Sequence, residues 1–505
     1  MKSFTERHAS KISGILSCFD RVVITGTVPH ICYAAGMSSH LSSHGIRIFD
    51  YTKWAEPLRE EIRANAERLA QEHGLEIEFL RRNDFRKEKR IKKILEQRGL
   101  HPGLVHIFSA MEPCPSYKPW HDKKTHRSFL KPTQAKCLHY YFYFMHPLLG
   151  LCYLRVPTWA PFRLQFYFNA HQQLALMLQA HGIPYTLMDN AFIEIGNWEA
   201  AQNLSDVMDP ALLHHVLDEQ AATYCPVIRH FDTGYHWSLM QAEYATDIVF
   251  RRQDELAPIY EELVRTAVHT VKPEHIATFL GRKLSGQYQD EMGNDFHTRI
   301  EGTRIKHHMA KVAIKMYDKF GMVLRIETVA NDVSFFKHYR KVEHRDGTSS
   351  KKMAVVKKSI YSLPVLTGLM SAANSRYLKF ISSIEDPTFS LQDLEKISKP
   401  VRDSRRSYRG FNLFHGEDLD LFLAVLRGEF TISGFQNRNL RAHLPGKTPQ
   451  QLSRLIKRLR KHGLIRRIRN TYKYYLTSLG RRVITTALKL REMYIIPQLR
   501  GALID

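Results

Sequence analysis

Cysteine is scarce in this chain and scattered where it occurs. Six cysteines stand among 505 residues, at Cys18, Cys32, Cys114, Cys137, Cys152 and Cys225, and no two have CxxC spacing. That pattern excludes a disulfide-dense secreted scaffold and predicts free thiols in a reducing compartment. Also missing is any run of about 18 uncharged apolar residues, the length a membrane helix needs. The opening stretch MKSFTERHASKISGILSCFD lacks the apolar core of a signal peptide. These absences predict a cytoplasmic, nucleoid-associated protein with no membrane partner. No GxxxxGK[ST] phosphate loop occurs, which argues against ATP-driven chemistry. Neither an internal repeat nor a low-complexity tract is visible.

Acidic residues are in deficit too. Fifty Asp and Glu stand against 74 Lys and Arg, a formal net charge of +24. A chain this basic repels itself unless it meets a polyanion, and nucleic acid is the commonest polyanion in a cell. The 44% hydrophobic and 11% aromatic content is that of a folded protein. At 505 residues the chain exceeds a single core. Composition and pattern together predict an α+β multidomain protein with mixed or antiparallel sheets in its body and a C-terminal winged-helix (helix-turn-helix) domain.

Patterning suggests three segments. Residues 1–200 alternate strand-like runs such as RVVITGTV with helical runs such as PLREEIRANAERLAQEHG, which reads as a basic α+β domain. Residues 201–400 read as helical to about 270 and as strands from about 278 to 331. Within that segment KVEHRDGTSSKKMAVVKK reads as an exposed loop. KPVRDSRRSYRGFN reads as a linker ahead of the last domain, 410–505.

The last domain is the most legible. From Pro449 to Arg482 no acidic residue occurs. Thr448 suits an N-cap, Pro449 the first helical position and Gly463 the position after the C-cap. Leu452, Leu455, Ile456 and Leu459 recur at i, i+3, i+4 and i+7, one helical face. Arg454, Lys457, Arg458, Arg460 and Lys461 fall on the other. LIRRIR, NT and YKYYLT read as strand, turn and strand, followed by a helix. Such a helix lacks acid on the side that meets a DNA groove, and Arg466, Arg467, Arg469 and Lys473 of the ribbon suit flanking phosphates. The segment over roughly 410–495 resembles the winged-helix modules of bacterial regulators.

The second informative stretch is KMYDKFGMVLRIET, Lys315–Thr328. Two apolar runs flank YDKFG, a hairpin turn in which Gly321 supplies a permissive backbone. Tyr317, Asp318 and Glu327 are candidate catalytic residues. Asp318, Glu327 and one of His307 or His308 offer oxygen and imidazole donors of the kind that take Mg²⁺ or Mn²⁺, with Tyr317 as nucleophile toward a phosphodiester. A plainer reading is a charged hairpin whose Arg325 and Glu327 pair. The segment resembles a motif of the replication initiators of small plasmids and filamentous phages, although the His-hydrophobe-His metal motif of the common nicking fold is absent.

Three further sets stand out. Trp120, Lys123, Lys124 and Arg127, with Tyr117 and Lys131, interleave aromatic and basic side chains as single-strand binders do. Cys114, His121, Asp122, His126, Cys137 and His139 offer zinc donors without the usual paired spacings. Asp20, Glu327 and Asp332 are widely separated carboxylates, the pattern of an RNase H-like nuclease. Over most of its length the chain resembles a widespread group of uncharacterised, mobile-element-linked bacterial proteins, through FDRVVITGTV, KCLHYYFYFMHP, YHWSLMQAEYATDIVF and the YDK segment. The expectation is a nucleic-acid-binding protein whose partner is duplex DNA and a single strand or structured RNA. The alternatives are a metal-dependent nickase or nuclease and a winged-helix transcriptional regulator.

Overall fold

The computed structural model describes residues 2–81, 86–283, 292–299, 302–382, 397–403, 406–412, 415–427, 430, 434–468 and 471–491. Its strands are β1 (Ile12–Thr27), β2 (Ile77–Phe79), β3 (Gly103–Asp122), β4 (Arg127–His146), β5 (Gly150–Pro157), β6 (Leu164–Phe168), β7 (Tyr185–Met188), β8 (Ala191–Ile195), β9 (His236–Phe250) and β10 (Met292–Arg299). They continue with β11 (Gly302–Met309), β12 (Val312–Lys319), β13 (Val323–Ala330), β14 (Lys337–Glu343), β15 (Ser349–Val355), β16 (Val401–Asp403), β17 (Arg406–Tyr408), β18 (Ile465–Arg467) and β19 (Tyr474–Leu476). The architecture is α+β. Among the described residues no helix is long and apolar enough to cross a membrane.

The chain forms two compact units. One gathers Leu16–Ala245 and Val329–Gly368, the other Met1–Ile15, Thr246–Thr328 and Leu369–Asp505. The boundaries fall inside β1, β9 and β13, so neither unit is one continuous stretch of sequence. Strand pairing joins residues far apart in sequence, which shifts in composition do not report.

In the first of these units the strand order is β9, β1, β6, β5, β4, β3, β2. β2 runs parallel to β3, whereas β3–β4, β4–β5, β5–β6 and β1–β6 are antiparallel. The run YYFYFM in β4 does not alternate with polar residues because both of its faces are covered. Tyr141 and Tyr143 pack with Ile91 of helix Lys87–Arg98. Phe142 and Phe144 stack on Tyr224 of helix Pro210–Tyr224, with centroids 4.7 and 5.2 Å apart. His236–Phe250, which falls in a stretch read from sequence as mainly helical, is a 15-residue strand. Nor is KVEHRDGTSSKKMAVV a loop, because β14 and β15 pair through seven residues from Lys337↔Val355 to Glu343↔Ser349.

In the other unit β10 to β13 follow one another as a meander. β12 turns into β13 through Phe320 (φ 57) and Gly321 (φ 67), both left-handed as in a type I′ hairpin. Every residue of β13 is buried, so the alternation of Leu324 and Ile326 with Arg325 and Glu327 reflects two covered faces. Arg325 is fully buried and donates from Nε and Nη2 to the two oxygens of Asp247, both at 2.6 Å. Thr328 Oγ1 donates to Asn374 Oδ1 at 2.6 Å, and Asn374 Nδ2 to Thr246 Oγ1 at 3.1 Å. Thus Arg325 is matched by Asp247, and Glu327 has a different partner, described below.

Removing one member of a buried ion pair strands the other without solvent. Asp247→Ala should lower unfolding free energy by about 3–5 kcal/mol in urea titrations, whereas the joint change Asp247→Leu with Arg325→Met should come close to wild type. A loss below about 1 kcal/mol for the single variant would show that Arg325 is not desolvated.

Candidate nucleic-acid interface

The C-terminal basic helix forms as its residues dictate. Thr448 Oγ1 accepts from Gln451 N, and the Gln451 side chain accepts from Thr448 N, a reciprocal cap on helix Pro449–Lys461. Gly463 (φ 72) ends it, with Leu464 N bonded to Leu459 O and Gly463 N to Arg460 O, both at 3.0 Å. Leu452, Ile456 and Leu459 enter a core shared with Phe422, Leu440 and Ile484. Around that core stand helices Gly416–Val425 and Asn437–Arg441, the β18–β19 hairpin and helix Ser478–Leu490.

The cations of the basic helix divide into two sets. Arg454, Lys457 and Arg460 are exposed. Arg458 is not, and its reading as a nucleic-acid contact is corrected: it is 6% exposed and turned inward. It donates to Asp418 Oδ1 at 2.6 Å and Oδ2 at 2.9 Å, to Arg409 O at 3.0 Å and to Gly410 O at 2.6 Å. Its guanidinium lies 3.8 Å from the Phe411 ring centroid. The cause is helical: position 458 is three residues beyond Leu455 and borders the apolar stripe. Burial pushes the Asp418 carboxyl up, but the Arg458 hydrogen bonds, the Asn412 amide and the charges of Arg458 and Arg409 outweigh it and hold the group below its ordinary value. Lys461 pairs with Asp403. The stretch read as a linker is therefore strapped down: it forms β16–β17 and sends Phe411, 2% exposed, into the core.

Beside the helix, Arg466 and Arg467 of β18 and Lys473 before β19 are exposed. Tyr472, 75% exposed, lies beneath the Arg467 guanidinium at 4.9 Å. A cleft between helix and hairpin is lined by Asn437, Ser453, Lys457, Arg460 and Tyr472. Arg469 lies outside the described residues.

A second cationic surface is the distal half of the β3–β4 hairpin. Lys118 stands directly opposite Lys131, and Trp120 opposite Phe129. The Lys131 ammonium sits 3.7 Å from the Trp120 centroid. Lys123, Lys124 and Arg127 are exposed at the tip. The tip's one acid, Asp122, accepts from Lys124 N at 2.9 Å and Thr125 Oγ1 at 2.8 Å, so it is used to close the turn. Tyr117 is buried and donates to Ile31 O at 2.8 Å, away from this surface.

The candidate catalytic and metal residues are brought together only in part. Tyr317 donates to Glu327 Oε2 at 3.4 Å and Lys315 to the same oxygen at 2.9 Å, so these three share a face. Asp318, next to Tyr317 in β12, points to the opposite face by strand alternation. His307 is fully buried, with Nδ1 2.6 Å from Asn294 Oδ1 and Nε2 3.1 Å from Tyr377 OH. Burial, then the repulsion of His275 and His308, pulls it down to about 3. Its cross-strand neighbour is Ile314, on the face away from Lys315 and Glu327. Asp318, Glu327 and His307 therefore do not converge.

Of the zinc donors, Cys137 Sγ lies 3.8 Å from His139 Nδ1. Cys114 faces Ala135 in the ladder, whereas Asp122 faces Arg127, eight residues, or roughly 26 Å, farther along. Asp332 caps its own turn through Ser334 N and pairs with Lys358 at 2.9 Å. Asp20 is buried, accepting from Asn190 Nδ2 at 2.6 and 2.8 Å and from Asn169 Nδ2 at 3.2 Å, with His171 Nδ1 at 3.2 Å. Its companion is one that sequence reasoning missed: oxygens of Asp20 and Glu243 lie within 4.8 Å of one another. Nothing in YHWSLMQAEYATDIVF marks Glu243, because its pairing with Asp20 depends on strand order. Comparison with protein families, curated proteins and solved structures finds no match to this chain.

Arg458→Ala should destabilise the C-terminal module by about 3–5 kcal/mol in denaturant titrations, and Arg454→Ala should stay within about 0.5 kcal/mol of wild type. The Arg458–Asp418 contribution should be full above about pH 4, where an unfolded Asp ionises, and should fade as pH falls through the lowered folded value. An Arg458→Ala variant as stable as wild type at pH 7 would contradict the buried-anchor role.

Proposed function

We propose that this protein binds nucleic acid, with the module from about residue 410 onward acting as a winged helix on duplex DNA. One observation carries the reading. The outward face of helix Pro449–Lys461 and its hairpin offers Arg454, Lys457, Arg460, Arg466, Arg467 and Lys473, while Arg458 and Lys461 are satisfied by Asp418 and Asp403. The cations left over are those on the side that fits a major groove, and no acid lies in the segment to repel phosphate. In the other unit the β3–β4 arm suits a single strand or structured RNA, with Trp120 and Phe129 as stacking platforms among lysines. The sequence resemblance points to a bacterial mobile element as the setting of such a protein.

The test is duplex binding by the full chain, followed by fluorescence anisotropy across salt. Wild type should bind with a steep negative slope of log affinity against log salt. Arg454→Glu with Lys457→Glu and Arg460→Glu should reduce the slope's magnitude by about 0.9 for each phosphate no longer neutralised. Binding that ignores salt, or an unchanged slope in the triple variant, overturns the reading.

A second reading, a metal-dependent phosphodiesterase, is favoured by the Asp20–Glu243 pair. Two carboxylates this close repel unless a proton or a cation lies between them, and Mg²⁺ or Mn²⁺ takes such oxygen donors. On this reading Mn²⁺ raises the melting temperature of wild type but not of Asp20→Asn or Glu243→Gln, and a metal-dependent cut of DNA or RNA disappears in both. Absence of both effects removes it.

A further inference from the structure

The β14–β15 ribbon carries like charges face to face across its two strands. Lys341 stands directly opposite Lys351, and Arg340 opposite Lys352. Like charges directly opposite across two strands are destabilising, and an isolated two-stranded ribbon is marginal to begin with. Among the described residues none of Lys337, Arg340, Lys341, Arg345, Lys351 and Lys352 reaches a carboxylate within 4.0 Å. The ribbon's acids are Glu343 and Asp346, and Asp346 accepts from Thr348 N and Oγ1 to close the turn. One face also holds an uncovered strip: Tyr339 is 66% exposed, its partner Met353 61% and Val355 44%. The base is anchored by Val356 N to Phe336 O at 2.9 Å, with both side chains buried.

We propose that this ribbon is a second DNA-contacting element that enters the major groove of B-form duplex; the inference rests on the reading of the protein as a duplex binder. Alternation sets the two cationic pairs on opposite faces, Lys341 and Lys351 on one, Arg340 and Lys352 on the other. A flat anionic surface needs cations on one face. A groove with phosphates along both walls needs them on two. The B-form major groove, about 12 Å wide, admits a two-stranded ribbon, whereas that of A-form RNA is too narrow for side chains to read. The Tyr339–Met353 strip then meets sugar and thymine-methyl surface, and the phosphates relieve the cross-strand repulsion.

The full chain carrying Lys341→Ala, Lys351→Ala and Lys352→Ala tests this on a 30-base-pair DNA duplex. The magnitude of the salt slope should fall by about 2–3, while the melting temperature without DNA stays level or rises at low salt because repulsion is removed. Tyr339→Ala should weaken binding about tenfold with the slope unchanged. If wild type shows no salt-dependent duplex binding, the reading beneath this inference fails with it. If wild type binds, the Arg454, Lys457 and Arg460 variant lowers the slope and the ribbon variant does not, this inference alone is overturned. Equal affinity for duplex RNA, with the same loss in the ribbon variant, overturns the groove assignment.

Discussion

The bond between Arg458 and Asp418 decides what the C-terminal module shows to its surroundings. Four donated hydrogen bonds and a ring contact hold one guanidinium inside. Once this arginine is fixed, the helix has no rotational freedom left: Leu452, Ile456 and Leu459 face the core, and Arg454, Lys457 and Arg460 face out. The same bond draws the 409–411 backbone against the helix, because two of the acceptors are main-chain carbonyls. A lysine there would supply one point charge and could not serve a bidentate carboxylate and two carbonyls together.

Scarce acid makes this kind of pairing consequential. With 50 acidic residues against 74 basic ones, acids committed to buried arginines are not available to the surface. Asp247 is held by Arg325 and Asp418 by Arg458, each with paired short contacts. At the hairpin tips, Asp122 and Asp346 are bound to turn amides and hydroxyls. These four aspartates serve folding, two by matching buried arginines and two by closing turns. Cations left without a nearby acid raise the local positive potential of the surface that carries them.

Legibility from sequence follows the range of the interactions involved. The helix at Pro449–Lys461 is readable because its cap, its stripe and its Gly463 stop are encoded within sixteen residues of one another. The Gly321 turn is readable for the same reason. Arg458 is misread because a helical wheel places it among the polar residues and says nothing about an aspartate forty positions earlier. The ribbon at 337–355 resembles a loop because lysines opposite lysines are a poor strand signal. His236–Phe250 is misread because its polar residues Thr246 and Asp247 are satisfied by partners distant in sequence, Asn374 and Arg325.

That last failure points to a physical rule for the β-rich parts of this chain. Where both faces of a strand are covered, polar residues persist only when matched, and the match comes from another strand, helix or turn. Arg325 with Asp247, Thr328 with Asn374 and Asp20 with Asn190 are such matches, each spanning dozens of positions or more. Each acts as a register lock. A one-residue slip would turn Arg325 to the opposite side of its strand and bury it against apolar atoms, at a cost of several kcal/mol. Buried polar pairs in this protein thus specify alignment more than they add stability. The surface ribbons have no such lock and can carry like charges side by side, because their alignment is set by short turns and a buried base.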